Sequence, residues 1–137
     1  MKSVNISLRT TQQVDDICET TELTAKGTYL CTPNKRIVTF TESTEEGMVT
    51  TLLTLTKKDT PVVTMVRKGT TENRMTIQQG VCHQGPYQMG PYTITLGVTG
   101  LCVSHNLTET GGSLFMQYAL TMNGQDASKN TIELSIK

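Results

Sequence analysis

Apolar and polar residues alternate along most of this chain, and this period of two constrains its fold more than any other feature. Successive side chains of a β-strand point to opposite faces of the sheet, so such alternation predicts strands with one apolar face. No window shows the three- and four-residue spacing of an amphipathic helix. The chain is therefore predicted to be all-β. The longest run of alternating apolar positions is Leu114, Met116, Tyr118, Leu120 and Met122.

Short turn signals separate the alternating segments and recur about every 10 to 15 residues, which is typical of neighbouring antiparallel strands. Threonine supports this interpretation, because 26 of the 137 residues are of this β-branched type, which favours a pleated surface. Eight to ten strands are expected. The predicted segments are 4–8, 23–31, 36–42, 48–57, 63–67, 71–79, 92–98, 101–105, 113–122 and 132–136.

A long meander with one apolar face must cover that face by closing into a barrel or by folding into a two-sheet sandwich. Greek-key sandwiches need long crossovers, whereas nearly every connection here is short. The pattern favours a single antiparallel up-and-down barrel. A chain of this length forms one core, so residues 1–137 are predicted to be one domain.

Charge and composition argue against several classes of function. Twelve basic and twelve acidic residues give a formal net charge of zero, so no long-range field attracts a polyanion and nucleic-acid binding is disfavoured. The first eight residues alternate instead of forming the apolar region of a signal peptide, and no run is long enough to span a membrane. We expect a cytoplasmic protein whose four cysteines stay reduced.

One segment, Gly85–Tyr92, interrupts the strand-and-turn pattern and carries two of the chain's four prolines and two of its four tyrosines. It is predicted to be the one long connection of the meander, and therefore a cover for one end of the barrel. Two roles remain open for it. It is either a lid over a cavity or a plug that completes a solid core.

Several short motifs follow one another along the chain: Gly27-Thr28-Tyr29, residues 36–42, Gly47 with Thr50-Thr51, Arg67-Lys68-Gly69, Arg74 before Gly80, and Gly90-Pro91-Tyr92. Their order and spacing resemble those of the YwiB-like proteins, a family of uncharacterised bacterial proteins with a calycin-like, or lipocalin-like, β-barrel. The resemblance covers nearly the whole chain and implies that fold in a bacterial cytoplasm, with no established activity. Where relatives have Thr-Pro-Tyr-Gly, this chain has Gly90-Pro91-Tyr92-Thr93.

Glu42 and Arg67 each continue the inward phase of a predicted strand by one step, beyond Phe40 and Met65. Both are expected near the rim of the barrel and facing inward. They either hold the polar group of a ligand or form a partly buried ion pair that fixes the rim. The ligand-binding hypothesis comprises Glu42, Arg67, Tyr87, Met89, Tyr92 and Tyr118.

The first functional hypothesis is a non-enzymatic barrel that binds a small apolar or amphipathic molecule in its interior, because the apolar inner face ends in a few polar groups. The alternative is a solid barrel that serves as an interaction or oligomerisation module, for example as a homodimer. An enzyme is a third choice, since no nucleophile or acid–base pair stands out. The spacing of Cys82, His83, Cys102 and His105 matches no zinc motif, so no metal or cofactor is expected.

Overall fold

The computed structural model describes all 137 residues and contains no helix. Ten antiparallel strands form one sheet in the order β6-β5-β4-β3-β2-β1-β10-β9-β8-β7. The predicted all-β antiparallel barrel is confirmed, with a strand number at the top of the expected range. The strands are β1 (Lys2–Val14), β2 (Ile17–Cys31), β3 (Lys35–Thr44), β4 (Gly47–Thr56), β5 (Val62–Lys68), β6 (Glu72–Gln78), β7 (Cys82–Met89), β8 (Tyr92–His105), β9 (Gly112–Met122) and β10 (Gln125–Ile136).

Sequence neighbours pair along the whole meander except at β6 and β7, and the first and last strands pair with each other. The sheet is thus a nearly closed barrel with one seam, between β6 and β7. We call the end that carries the β1–β2, β3–β4, β5–β6, β7–β8 and β9–β10 hairpins the upper end. The lower end carries both chain termini and the other four connections.

Side chains fill the lower half of the barrel. The alternation that predicted the strands here places one side chain in two inside, where it loses its contact with water. The connection between β8 and β9 then closes the lower end, because Leu107 inserts its side chain and is only 3% exposed. The largest fully buried residues of the whole barrel are Tyr29, Ile6, Leu53, Leu55, Ile77, Leu114, Met116, Leu134, Val38 and Val63. Of these, Leu53 and Leu134 also line the space in the upper half.

Two buried polar side chains hold this lower closure in place. The guanidinium of Arg36 donates from Nε to the carbonyl oxygen of Leu107 at 3.1 Å. The hydroxyl of Tyr29 donates to the carbonyl oxygen of Thr108 at 2.7 Å. The bond from Arg36 satisfies a Leu107 carbonyl that has no backbone partner, whereas the Thr108 carbonyl also accepts from the backbone N–H of Gly111 at 3.2 Å.

His105 completes the closure from the end of β8. Its Nδ1 accepts a hydrogen bond from the backbone N–H of Leu107 at 3.3 Å, which requires an unprotonated Nδ1. Burial lowers the pKa of His105 below its ordinary value of 6.5, and the charges of Arg36 and Lys57 lower it further. The lower end is therefore built around a neutral imidazole.

The segment Gly85–Tyr92 is not the long connection that the sequence predicted. Residues 82–89 form β7, which pairs with β8 from Cys82↔Thr99 to Met89↔Tyr92, and a tight turn at Gly90 and Pro91 follows. Gly90 has a φ of 56°, which glycine adopts at little cost. Because the segment is a strand and a tight turn, it is not a loop that covers or plugs the barrel. The connection that closes one end of the barrel is instead 106–111, between β8 and β9.

The predicted break at Gly100 is also wrong. A single strand, β8, runs through it, with a bulge between Gly100 and Cys102 in its pairing with β9. The bulge inserts one extra residue and so changes the phase of the strand. Consequently Val98 and Val103, five residues apart, are both buried, while Leu101 is 48% exposed.

Candidate functional site

The upper half of the barrel contains a cavity of about 430 Å³, in contrast to the filled lower half. Clefts of roughly 300–1,000 Å³ are the usual size of small-molecule sites. The lining comes from nine of the ten strands, all except β8, so nearly the whole wall shapes the cavity. Its apolar lining consists of Leu8, Leu23, Phe40, Leu53, Met65, Met75, Tyr87, Tyr118, Leu120, Ile132 and Leu134.

Eight polar side chains also line the cavity, and two of them are nearly inaccessible. Thr51 is 4% exposed and Asn130 is 7% exposed. Asn130 donates from Nδ2 to the hydroxyl of Ser128 at 2.9 Å. Polar groups at these depths give the cavity hydrogen-bonding positions as well as apolar walls. The full polar set is Thr10, Gln12, Thr21, Glu42, Thr51, Arg67, Asn73 and Asn130.

Glu42 and Arg67 lie at the upper part of this cavity and contact each other. Arg67 Nη2 donates to Glu42 Oε1 at 3.2 Å, across the intervening strand β4. About half of the Arg67 side chain and a quarter of the Glu42 side chain are exposed. A pair this accessible contributes less than about 1 kcal/mol to stability, so its geometry is of more interest than its energy.

Arg67, Asn73 and Tyr87 mark the constriction between the cavity and the outside. The same three side chains line a second, outer depression of about 550 Å³, which the upper hairpins surround. The outer depression is mostly polar and includes Glu45 and Glu46. A molecule that enters the barrel from the upper end passes these three residues.

Tyr118, on β9, projects into the cavity and is only 5% exposed. Its hydroxyl forms no hydrogen bond with the protein, yet no buried polar atom of the chain is sealed off without a partner. The hydroxyl therefore faces the open space of the cavity. Burial, together with Tyr87, raises the pKa of Tyr118 to about 12, although the charge of Arg67 opposes the shift. Tyr87 and Arg67 are therefore close enough to the Tyr118 hydroxyl to influence its ionisation.

Beside Tyr87 the wall contains the seam between β6 and β7. The side chain of Asn73 links the two strands there. Asn73 Oδ1 accepts from the backbone N–H of Gln88 at 2.9 Å, and Asn73 Nδ2 donates to the carbonyl oxygen of Gln88 at 3.2 Å. The amide thus imitates a strand partner. Alternation along β7 turns the nitrogen of Pro86 toward the seam as well, and proline has no N–H to give to β6.

The structure brings four of the six predicted binding residues together in the cavity: Glu42, Arg67, Tyr87 and Tyr118. It does not bring Met89 and Tyr92 there, because they are 44% and 73% exposed. The physical reason lies in the pairing of β8. Its partner β9 begins to pair only at Leu96, so the hairpin that carries Met89 and Tyr92 projects beyond the wall of the barrel.

Sequence reasoning missed Asn73, Asn130 and Arg36, although a signal for each was present. Asn73 precedes Met75 and Ile77 by even steps, Asn130 precedes Ile132 likewise, and Arg36 precedes Val38. The alternation that places Glu42 and Arg67 inside, when it is extended by one step along each of these strands, also places all three of these side chains inside.

The cysteines and histidines do not converge on this cavity. All four cysteines are free thiols, and His83 Nε2 instead contacts Gln78 Oε1 at 3.1 Å near the seam. No group of three or more His, Cys, Asp or Glu side chains is arranged to hold a metal ion. No helix long and apolar enough to cross a membrane is present.

Comparison with known proteins assigns the fold to a family. Residues 6–134 match the model of a family described as a domain of unknown function, DUF1934. The chain belongs to this family. The DUF1934 barrel is similar to the crystal structure of the ywiB protein from Bacillus subtilis, with a TM-score of 0.80 and 19% identity, covering 97% of this chain and 90% of that chain.

The resemblance to the YwiB-like proteins is thereby confirmed. At 19% identity the structural likeness establishes a shared fold, and the DUF1934 description assigns no activity. No curated protein matches the chain significantly. The function of this family member must therefore be argued from its own structure.

Proposed function

We propose that this DUF1934 protein is a non-enzymatic binding barrel that takes up a small amphipathic molecule in the upper half of its interior. The observation that carries the proposal is the cavity of about 430 Å³ with its mixed lining. Eleven apolar side chains offer burial to a hydrocarbon or aromatic portion of the ligand. The eight polar side chains offer it hydrogen bonds, which is the usual composition of a small-molecule site.

The division of the barrel into two halves supports the same function. The lower half, with its Arg36 and Tyr29 closure, provides a rigid base, because close-packed interiors deform little. The upper half retains open space although residues on the same strands fill the lower half. A solid barrel that acts only as an interaction module fits this interior less well, since such a module has no need of space inside.

A matched pair of variants tests the proposal. Thr10 lines the cavity, whereas its neighbour Thr11 faces outward and contacts the hydroxyl of Thr20. Thr10→Phe should occupy part of the cavity, and Thr11→Phe should add the same bulk outside it. We expect Thr10→Phe to weaken the binding of 1-aminoanthracene, a neutral fluorescent probe, at least about tenfold, which is roughly 1.4 kcal/mol. Thr11→Phe should bind it like the wild type.

Native mass spectrometry of protein purified from its own host provides the unbiased counterpart. A carried small molecule in the wild type, absent from the Thr10→Phe protein, is the expected result. If the wild type neither carries a molecule nor binds the probe, or if both variants bind the probe equally, the barrel is not a binding protein of the kind proposed.

A further inference from the structure

The polar end of the cavity has several hydrogen-bond donors that the protein leaves unused. Arg67 has five N–H donors, of which Nη2 is used by Glu42. The hydroxyls of Tyr118 and Tyr87 are without a protein partner. The amide of Asn73 is oriented toward the seam, since both its ends are bonded to the backbone of Gln88. These unused donors favour a ligand that brings an acceptor to this end of the cavity.

Tyr118 is the most deeply buried of the residues with unused donors. Tyr118 is only 5% exposed, yet its hydroxyl forms no hydrogen bond with the protein and keeps access to the open space of the cavity. A hydroxyl at this depth normally has a hydrogen-bond partner. Tyr118 instead turns its hydroxyl into the cavity beside Tyr87 and Arg67. A ligand group placed among the three would accept bonds from two phenols and one guanidinium at once.

The charge of the site limits the ligand to a single negative charge. Arg67 is the only cation among the residues that line the inner cavity, and Glu42 already offsets part of its charge. A dianion would be poorly compensated there. Glu45 and Glu46, on the outer rim, further disfavour an anion that stays outside the constriction. Bonds from ionised donors to a carboxylate are about twice as strong as neutral ones, and guanidinium matches a carboxylate in shape.

We propose that the ligand class of this cavity is a monocarboxylate with an unbranched or aromatic apolar tail, whose carboxylate lies among Arg67, Tyr87 and Tyr118. The tail then extends down toward Leu53, Ile132 and Leu134, where the cavity is apolar. This inference rests on the proposed binding function and deepens it, by assigning the head group and the orientation of the ligand.

Three probes with ten carbons each test the head group: decanoate, decanol and decylamine. Isothermal titration at neutral pH should show that the wild type binds decanoate at least about tenfold more tightly than decanol, and decylamine most weakly. In Arg67→Gln this preference for the carboxylate should disappear while decanol binding is retained. The double variant Glu42→Gln with Arg67→Gln, which leaves no charge unpaired, should behave in the same way. Tyr118→Phe should lose part of the preference.

Arg74→Gln is the matched control. Arg74 is on β6 next to the seam and is exposed on the outer face, where it does not line the inner cavity. It should keep the full preference for decanoate. Equal affinity for decanoate and decanol, or tighter binding of decylamine, would overturn the assignment of the head group.

The result also separates this inference from the function beneath it. Binding of 1-aminoanthracene and decanol without a preference for decanoate leaves a binding barrel with a different ligand class. Failure of all four probes to bind refutes the binding barrel itself.

Discussion

His105 connects the pH of the solution to the closure of the lower end. Its pKa in the folded chain is held below 6.5, so the unfolded chain binds the proton first as the pH falls. The contribution of the neutral imidazole is complete above pH 6.5 and is lost progressively below it. Protonation also removes the acceptor for the N–H of Leu107, a loss of about 1 kcal/mol.

The test compares urea unfolding of wild type and His105→Gln at pH 7.5 and pH 5.5. We expect the wild type to lose more stability between the two values, since glutamine does not titrate. The comparison uses only the change with pH, so any constant cost of the substitution cancels. An identical pH dependence in the two proteins would show that His105 does not control the closure.

Individual residues of the site were predictable where the strand phase could be extended. Glu42, Arg67 and Tyr118 reach the cavity because each continues an alternation that begins with buried neighbours. Tyr92 continues the same kind of alternation and yet is 73% exposed. The alternation predicts which face of the strand a side chain is on. Whether the barrel wall extends as far as that side chain depends on the length of the neighbouring strand, which the alternation does not predict.

Strand β7 was predicted to be a loop because its composition is that of an edge strand. Gly85 and Pro86 break the usual strand composition, and an isolated reading of them predicts a loop. An edge strand tolerates proline on the side that has no partner, and here that side is the seam. The same residues are compatible with a loop and with an edge strand, so only the pairing of β7 with β8 distinguishes the two structures.

The seam gives a prediction for Asn73. Asn73→Ala removes two hydrogen bonds to the backbone of Gln88 and leaves that N–H and carbonyl without partners. We expect a loss of about 1–3 kcal/mol in global stability or in the local stability of β7. Hydrogen exchange should show faster exchange of the Gln88 amide, while the amides of β1 and β10 stay protected.

Asn73→Asp separates the two bonds, because a carboxylate still accepts from the N–H of Gln88 but no longer donates to its carbonyl. Its Gln88 amide should remain more protected than in Asn73→Ala. If neither substitution changes exchange along β7, the seam is held by other contacts.

The whole molecule was predictable in its architecture and unpredictable in its interior. Ten alternating segments with short connections leave little choice except a closed meander, and the pairing of β1 with β10 completes it. Whether that barrel is hollow depends on how tightly the sheet coils, which is set by bulges and close approaches. At Gly100, for example, a Cβ would collide with the carbonyl oxygen of Gln78, so β8 and the end of β6 can approach only because this residue is glycine.

The two halves of the barrel should differ in their response to truncation of the same side chain. Leu55 and Leu53 lie two residues apart on β4, are 0% and 1% exposed and both face inward, but only Leu53 lines the cavity. Leu55→Ala opens a void in a close-packed region and should cost about 3–5 kcal/mol. Leu53→Ala enlarges a space that already exists, loses mainly the transfer energy of the removed atoms, and should cost about 2–3 kcal/mol. Urea unfolding of both variants measures the difference, and a decanoate titration of Leu53→Ala checks that its cavity still binds. Equal losses, or a larger loss for Leu53→Ala, would mean that the upper half is as tightly packed as the lower and that the barrel has no room for a ligand.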